Sequence, residues 1–372
     1  MKISLMMQSF ENGGVQRVMI NLANGFTSKG FEVELLVADA RGEMRKNISN
    51  KCKIINLDNK KNTGDFKFLF SIKKIKDYIE KSKPNVILAC PGFANVVLII
   101  ANRLSKYKTK TIAILDNKLS LLKNSDIKHR ISYIFYKIYL KKSDKIVAAH
   151  DSALVDIINV LKIDSNKICR IYHPLISNDL FEEHAFSHKW LNGKYLVLLS
   201  VGRLVKEKNF IGLIDSFFNL KRNYNSFKNS KLIIVGEGIE RAALENRIAE
   251  YNLKNDVELY GFSSIPFEFM KRATLYVSSS SKEAFGNVIV EALACGLPVV
   301  ATDCESGGPK EILSNGQYGV LCKLNDTNSL TEAIVKCYNK NVDKYKCKKR
   351  GLEFSVENSV NEYVKIIKEV CR

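Results

Sequence analysis

Residues 195–238 read YLVLLSVGRLVKEKNFIGLIDSFFNLKRNYNSFKNSKLIIVGEG. Two short apolar runs, Tyr195–Val201 and Lys231–Val235, enclose a helical pattern over Asn209–Asn219, and each run stops at a glycine, Gly202 or Gly236. A strand, a crossover helix and a second strand of these lengths make a parallel pair. Downstream, Ile239–Tyr251 has helical periodicity, and Val257–Tyr260, Thr274–Ser278 and Val299–Ala301 extend the sheet. Upstream, strand-like Lys2–Gln8, Glu32–Ala38, Val86–Ala89, Thr111–Leu115 and Lys145–Ala149 repeat the scheme, with a helix over Val15–Ser28 that ends at Gly30. The alternation predicts an α/β fold of two doubly wound Rossmann-like domains facing each other across a cleft. The pattern pauses near His173-Pro174, where the residue before proline is pushed to extended geometry. This divides the chain into a first domain, 1–178, and a second domain, 179–354.

Composition narrows the class. Of the 372 residues, 46% are hydrophobic and 26% charged, as in a globular protein. Nine cysteines stand singly with no C-x-x-C pair, which points to a reducing compartment. The start reads as a core strand and not as a secretory signal, and the apolar stretch Val86–Ala101 is too short and interrupted to span a bilayer. The expected place is the cytoplasm. The net charge of +19 is uneven: residues 1–180 carry 31 Lys+Arg against 16 Asp+Glu, and residues 181–372 carry 27 against 23. Neither an aromatic RNA-binding signature nor zinc-finger spacing accompanies it, so nucleic acid is not expected as a partner. Basic and apolar residues interleave in Phe66–Lys83 (FKFLFSIKKIKDYIEKSK) and Lys128–Lys145 (KHRISYIFYKIYLKKSDK). Such segments suit the anionic inner face of the cell membrane; the alternative is a solvated lysine face over an ordinary core.

Several residues carry chemistry. Gly13 and Gly14 open the first helix after the first strand, where glycine permits close approach to an anion; a tight turn would require glycine as well. Arg203 and Lys208 place a cation fork and a point charge after a strand, suited to a diphosphate; the alternative, which the pair by itself favours, is two surface cations in a basic protein. Val235-Gly236-Glu237-Gly238 is a strand followed by a glycine turn, and neither it nor ENGGVQRV has dinucleotide-fingerprint spacing. In SSSSKEAFGNVIVEALACGLP, 278–298, Glu283 falls in a loop and Glu291 about two turns into a helix over Val288–Ala294. Carboxylates accept hydrogen bonds from diols, so Glu283 suits a sugar and Glu291 a ribose. The amides of Gly286, Asn287 and Val288 suit phosphate. The alternative makes both glutamates ordinary helix and surface residues. No D-x-D is present; Asp303-x-Glu305 comes nearest, so no metal is expected.

These residues resemble the retaining glycosyltransferases of the GT-B fold, family 4 group. The resemblance rests on GG at 13–14, VGRLVKEKN at 201–209, VGEG at 235–238, YGF at 260–262, the two glutamates 283 and 291, and GGPKEIL at 307–313. It implies that Arg203 and Lys208 hold the diphosphate, that Glu283 contacts the donor sugar and that Glu291 binds the ribose, with Gly238 on the donor side. It also implies that 1–178 is the acceptor-side domain and 179–354 the nucleotide-sugar domain, and that a last helix near Ser355–Val370 carries 355–372 back onto the first. No cofactor is implied. The donor would be a UDP-sugar, with a GDP-sugar as the alternative. The acceptor would be a lipid-diphosphate-linked saccharide in lipopolysaccharide O-antigen or capsule synthesis. Retention without a nucleophile pair suggests front-face attack, in which stabilising the departing diphosphate is the main task. Many relatives carry a histidine near the sugar after an early strand of the first domain; here Asp116 or Asn117 stands in its place. His129, His184 and His188 read as surface groups, and neither His150 nor His173 is assigned a catalytic role. Two rivals remain: a nucleotide-sugar epimerase, which would need a histidine–carboxylate set that the sequence does not display, and a non-catalytic partner subunit.

Overall fold

Runs of Val, Ile and Leu without alternating polar residues have no face to offer water, so they settle in parallel sheets covered on both sides. Val86–Ala89, Lys145–Ala148, Leu275–Ser278 and Val299–Thr302 are buried at every residue. The computed structural model describes all residues except 12, 58–65, 91, 124–125, 183 and 341; Asn12 of ENGGVQRV and Pro91 of the Val86–Ala101 stretch thus lie outside the described residues. The chain forms two compact units, Met1–Leu175 with Ser355–Arg372, and Ile176–Phe354.

In the first unit β1 (Lys2–Met7), α1 (Gly14–Ser28), β2 (Glu32–Val37), β3 (Lys53–Asn56), α2 (Ile72–Ser82), β4 (Val86–Ala89) and α3 (Gly92–Leu104) follow in order. Then come β5 (Lys110–Leu115), α4 (Ser120–Lys123), α5 (Ile127–Tyr139), β6 (Lys145–Ala148), α6 (Asp151–Leu161) and β7 (Ile168–Arg170). The sheet order is β3-β2-β1-β4-β5-β6-β7, parallel throughout. Ile75, Ile79, Phe93, Val97, Tyr136 and Ile157, from α2, α3, α5 and α6, join one core.

The second unit runs β8 (Val197–Val201), α7 (Phe210–Asn223), β9 (Lys231–Val235), α8 (Arg241–Glu250), β10 (Val257–Gly261), α9 (Pro266–Met270) and β11 (Leu275–Ser278). It continues with α10 (Asn287–Ala294), β12 (Val299–Thr302), α11 (Gly308–Ile312), β13 (Gly319–Cys322), α12 (Thr327–Asn339) and α13 (Lys344–Leu352). Its sheet order is β10-β9-β8-β11-β12-β13, again parallel. The final helix, α14 (Val356–Val370), starts at a Ser355 cap whose side chain accepts from the Asn358 amide, and it packs on α1. Tyr363 meets Phe26 edge-on at 6.4 Å. A Cβ on Gly25 would come within 2.4 Å of Val360, so glycine is what lets the two helices approach this closely.

The strand order reverses between β1 and β4 in one sheet and between β8 and β11 in the other. Crevices for ligands open at the carboxyl ends of strands at such points. β3, β7 and β13 are absent from the sequence reading. They are three or four residues long and lie at sheet edges; half-burial weakens the apolar signal of β3 and β7, and β13, though mostly buried, is short and opens on a glycine. No helix among the described residues is long and apolar enough to cross a membrane.

Candidate active site

At the carboxyl end of β8 the chain turns through Gly202-Arg203-Leu204 and is laced to the turn after β9. The Gly202 amide donates to Val235 O (2.9 Å), Leu204 N to Glu237 O (2.8 Å) and Glu240 N to Leu204 O (3.0 Å). A Cβ on Gly236 would lie 1.9 Å from Gly202 O, at φ +148°, and one on Gly238 2.3 Å from Leu204 O. The VGEG glycines are therefore demanded by backbone crowding within the fold, and Gly238 has this reason to be glycine whether or not a ligand is bound.

Lys208 and Glu283, 75 residues apart, meet. Lys208 Nζ donates to Glu283 Oε2 at 2.5 Å, and Ser280 Oγ donates to the same oxygen at 3.2 Å. The serines after β11 hold this geometry. Ser279 Oγ donates to Lys208 O (2.8 Å), the Ser281 amide to Glu207 O (2.7 Å), and Thr302 Oγ1 to Ser280 O (2.5 Å). Each side chain of the pair is about a fifth exposed. The pair is thus mostly buried but still reaches solvent. Arg203 is exposed, and no described residue forms an ion pair or hydrogen bond with its guanidinium.

Gly286, at φ +113°, begins α10. A Cβ on Gly308 would lie 2.2 Å from Phe285 O, so the GGPKEIL turn is pressed onto the AFGN turn. The amides of Asn287 and Val288 have no acceptor among the described residues, and the positive end of the helix dipole adds to their pull on an anion. Glu291 is only 2% exposed and lies one turn into α10, not two, since it is the fourth residue after Asn287, where the helix starts. The reading of Glu291 as a surface helix glutamate does not hold. Tyr276, whose charge environment includes both glutamates, donates its hydroxyl to Val201 O at 3.4 Å. Burial pushes that hydroxyl well above its ordinary value, and the charges of Glu283 and Glu291 push it the same way. The second unit thus gathers Arg203, Lys208, Glu283, Gly286, Asn287, Val288 and Glu291 about the carboxyl ends of β8 and β11.

The first unit has its own cluster at the carboxyl ends of β4, β5 and β7. His173 Nε2 lies 3.2 Å from Asp116 Oδ1, and the Cys90 thiol donates to the same carboxylate at 3.5 and 3.6 Å. A histidine–carboxylate set therefore exists, where the sequence displayed none; the partners are 57 residues apart and come together only through the sheet. The Asn117 side chain is turned to its own backbone, accepting from Lys118 N at 2.9 Å. His150 caps α6, its Nδ1 accepting from Ala153 N at 3.1 Å, and burial lowers its pKa from 6.5 to about 4. His129 and His184 are exposed as expected, but His188 is not a surface group: its ring is enclosed by Trp190, Tyr260 and Phe269, with Glu258 at 3.5 Å. Gly13 has φ −169°, open to any residue, and its nearest obstacle would be the mobile end of Gln16. A tight turn does not explain glycine at position 13. Gly14 is the first residue of α1. Asp303 faces Lys310 at 3.8 Å.

Two parallel α/β units, with cations, unengaged helix amides and a half-buried and a buried carboxylate at a strand-order reversal, define a GT-B glycosyltransferase. The family profile for glycosyl transferases group 1 matches residues 181–354, and that for glycosyltransferase family 4 matches residues 12–175. The chain belongs to this glycosyltransferase family and is a transferase. It is 31% identical to an uncharacterized glycosyltransferase of Methanocaldococcus jannaschii over 69% of this chain and 68% of that one. It is 29% identical to the N-acetylgalactosamine-N,N'-diacetylbacillosaminyl-diphospho-undecaprenol 4-alpha-N-acetylgalactosaminyltransferase of Campylobacter jejuni, over 90% of this chain and 89% of the other. Among solved structures, HepE of Anabaena in complex with UDP shares the fold, with a TM-score of 0.78 and 20% identity over 99% of this chain and 100% of that chain.

Proposed function

We propose that this glycosyltransferase moves a hexose, with retention of configuration, from a UDP-sugar to a saccharide carried on a lipid diphosphate, during assembly of a cell-surface polysaccharide. The observation that carries the reading is the Lys208–Glu283 pair beside the unengaged Arg203 and the free amides of Asn287 and Val288. These groups suit a diphosphate that departs and a sugar that remains. Arg203 and Lys208 take the diphosphate oxygens, the α10 amides add two donors, Glu283 holds sugar hydroxyls and the buried Glu291 holds the ribose diol. The bond from the anomeric carbon to the leaving phosphate oxygen breaks as the bond to the acceptor oxygen forms on the same face. The acceptor's proton passes to the departing phosphate. Catalysis then consists of stabilising charge on that phosphate, and loss of one such contact, as in Arg203→Ala, lowers kcat by about 10²–10³. In the first unit, Asp116, fixed by His173 and Cys90, and the Gly13-Gly14 turn are the acceptor-side residues. The lipid-diphosphate acceptor named for the Campylobacter jejuni relative supports a lipid-linked substrate here, met by a peripheral protein at the cytoplasmic face of an anionic membrane.

The test offers the protein a panel of UDP- and GDP-sugars with lipid-diphosphate saccharides and reads the anomeric configuration of the product by NMR. Transfer with a retained anomer supports the reading. Equal UDP release with and without acceptor overturns it in favour of hydrolysis or epimerisation.

A further inference from the structure

Helix α5 has two apolar faces, and the core uses only one. On the inner side Phe135 and Tyr136 pack against Phe93, with ring centroids 5.7 and 6.2 Å apart. On the outer side stand Ile127, Ile131, Ile134 and Ile138, exposed by 74, 39, 56 and 49%. Their spacing brings all four within about 60° of arc, a single stripe. Cations border it on both sides: Lys128 on one flank, Arg130 and Lys137 on the other, with Lys141 and Lys142 in the turn that follows. No acidic residue occurs between Ile127 and Lys142.

The other basic segment folds differently. In α2, Ile75 and Ile79 are fully buried. Lys74 Nζ donates to Leu57 O at 2.5 Å, and Lys76 pairs with Glu80 at 3.1 Å. The helix is further tied down by Tyr78 and Ser82, whose hydroxyls donate to the buried Glu34 carboxylate at 2.5 and 2.6 Å. Helix α2 therefore turns toward solvent a basic face that is partly satisfied within the protein and carries no apolar stripe.

We propose that the Ile127/Ile131/Ile134/Ile138 face of α5 is the surface by which the protein sits on an anionic bilayer. The helix lies in the membrane plane, with the isoleucines among the upper acyl carbons and the flanking lysines and Arg130 at the lipid phosphates. This deepens the reading of a lipid-linked acceptor and rests on it for its purpose, though not for its test. Charge selects the occupant. A second copy seated stripe to stripe would set cations against cations, whereas anionic headgroups pair with every one of them. The apolar stripe then supplies binding that salt does not screen.

The experiment is co-sedimentation of the whole protein with vesicles of phosphatidylglycerol and phosphatidylcholine, without donor or acceptor, beside vesicles of phosphatidylcholine alone. Ile131→Ser with Ile134→Ser is expected to lower the partition coefficient on anionic vesicles tenfold or more at all salt concentrations. Lys128→Gln with Lys137→Gln and Lys141→Gln is expected to abolish the preference for anionic lipid and its salt dependence. Lys73→Gln with Lys74→Gln and Lys76→Gln on α2 is expected to change binding less than twofold. All of these positions but Lys76 are exposed, and circular dichroism verifies folding. Wild-type vesicle binding by the isoleucine variant overturns the proposal, as does a loss of self-association in that variant with vesicle binding intact. Lipid-dependent binding by a protein that transfers sugar only to soluble acceptors supports the α5 surface while overturning the lipid-linked acceptor.

Discussion

Glu283 accepts from both Lys208 and Ser280, while Glu291 is buried one turn into α10, and the proposed function gives the two carboxylates different work. Glu283→Gln keeps the shape but weakens the grip on Lys208 and on sugar hydroxyls, and should lower kcat with little change in KM. Glu291→Ala should mainly raise KM for the donor nucleotide. Steady-state kinetics with folding followed by circular dichroism checks both, and near-wild-type constants in both variants remove the assignment. His150 yields a prediction about stability. Burial, helped by the charges of His173 and Lys118, holds its pKa at about 4, below the 6.5 of an exposed ring. The unfolded chain therefore binds more protons than the folded one between pH 6.5 and 4, and folding is destabilised as pH falls through that window, by up to about 3 kcal/mol. Protonation would also remove the Nδ1 acceptor that caps α6. His150→Asn, which retains a cap acceptor but does not titrate, should flatten the loss seen in urea melts between pH 7 and 5. An unchanged pH slope would place the titrating group elsewhere.

The elements that build the site are loops held by backbone proximity, and their glycines divide into two kinds. Gly236 is needed by the fold, because φ is +148° and a Cβ would strike Gly202 O. Gly236→Ala should destabilise the protein by at least about 2 kcal/mol in thermal or urea melts. Gly13 is extended and a Cβ there would meet only the flexible end of Gln16, so Gly13→Ala should change the melting temperature little while raising KM or lowering kcat. If Gly13→Ala proves fully active, the first turn does not approach a ligand. The apolar period of α10 is legible to within one residue of its start at Asn287, whereas the last helix, which Ser355 caps, follows from the family resemblance. The two basic segments were not distinguishable as elements, since lysines and isoleucines alternate with helical period in both. Which isoleucines face the core depends on what each helix packs against, and no local pattern carries that information.

For the molecule as a whole, the proposed reaction has the cations Arg203 and Lys208 with the α10 amides neutralise the diphosphate, a task that a metal would otherwise perform. Activity should therefore persist in excess EDTA; strict dependence on added Mg²⁺ or Mn²⁺ in a transfer assay would show that the diphosphate is held another way. The alternation of buried strand and helix, the glycine turns and the E-x₇-E run determined the α/β class, the doubly wound sheets and the glycosyltransferase family, because each is written in contiguous residues with a fixed period. Tertiary structure alone decided that Lys208 and Glu283 form a pair, that Asp116 is backed by His173 and Cys90, and that His188 is enclosed by aromatic rings. It also decided that α5 and not α2 leaves an apolar stripe in water. These facts depend on which strand ends lie side by side and which helix face is covered. Parallel sheets set that through crossovers tens of residues long, so contacts between distant residues leave no trace in the local sequence.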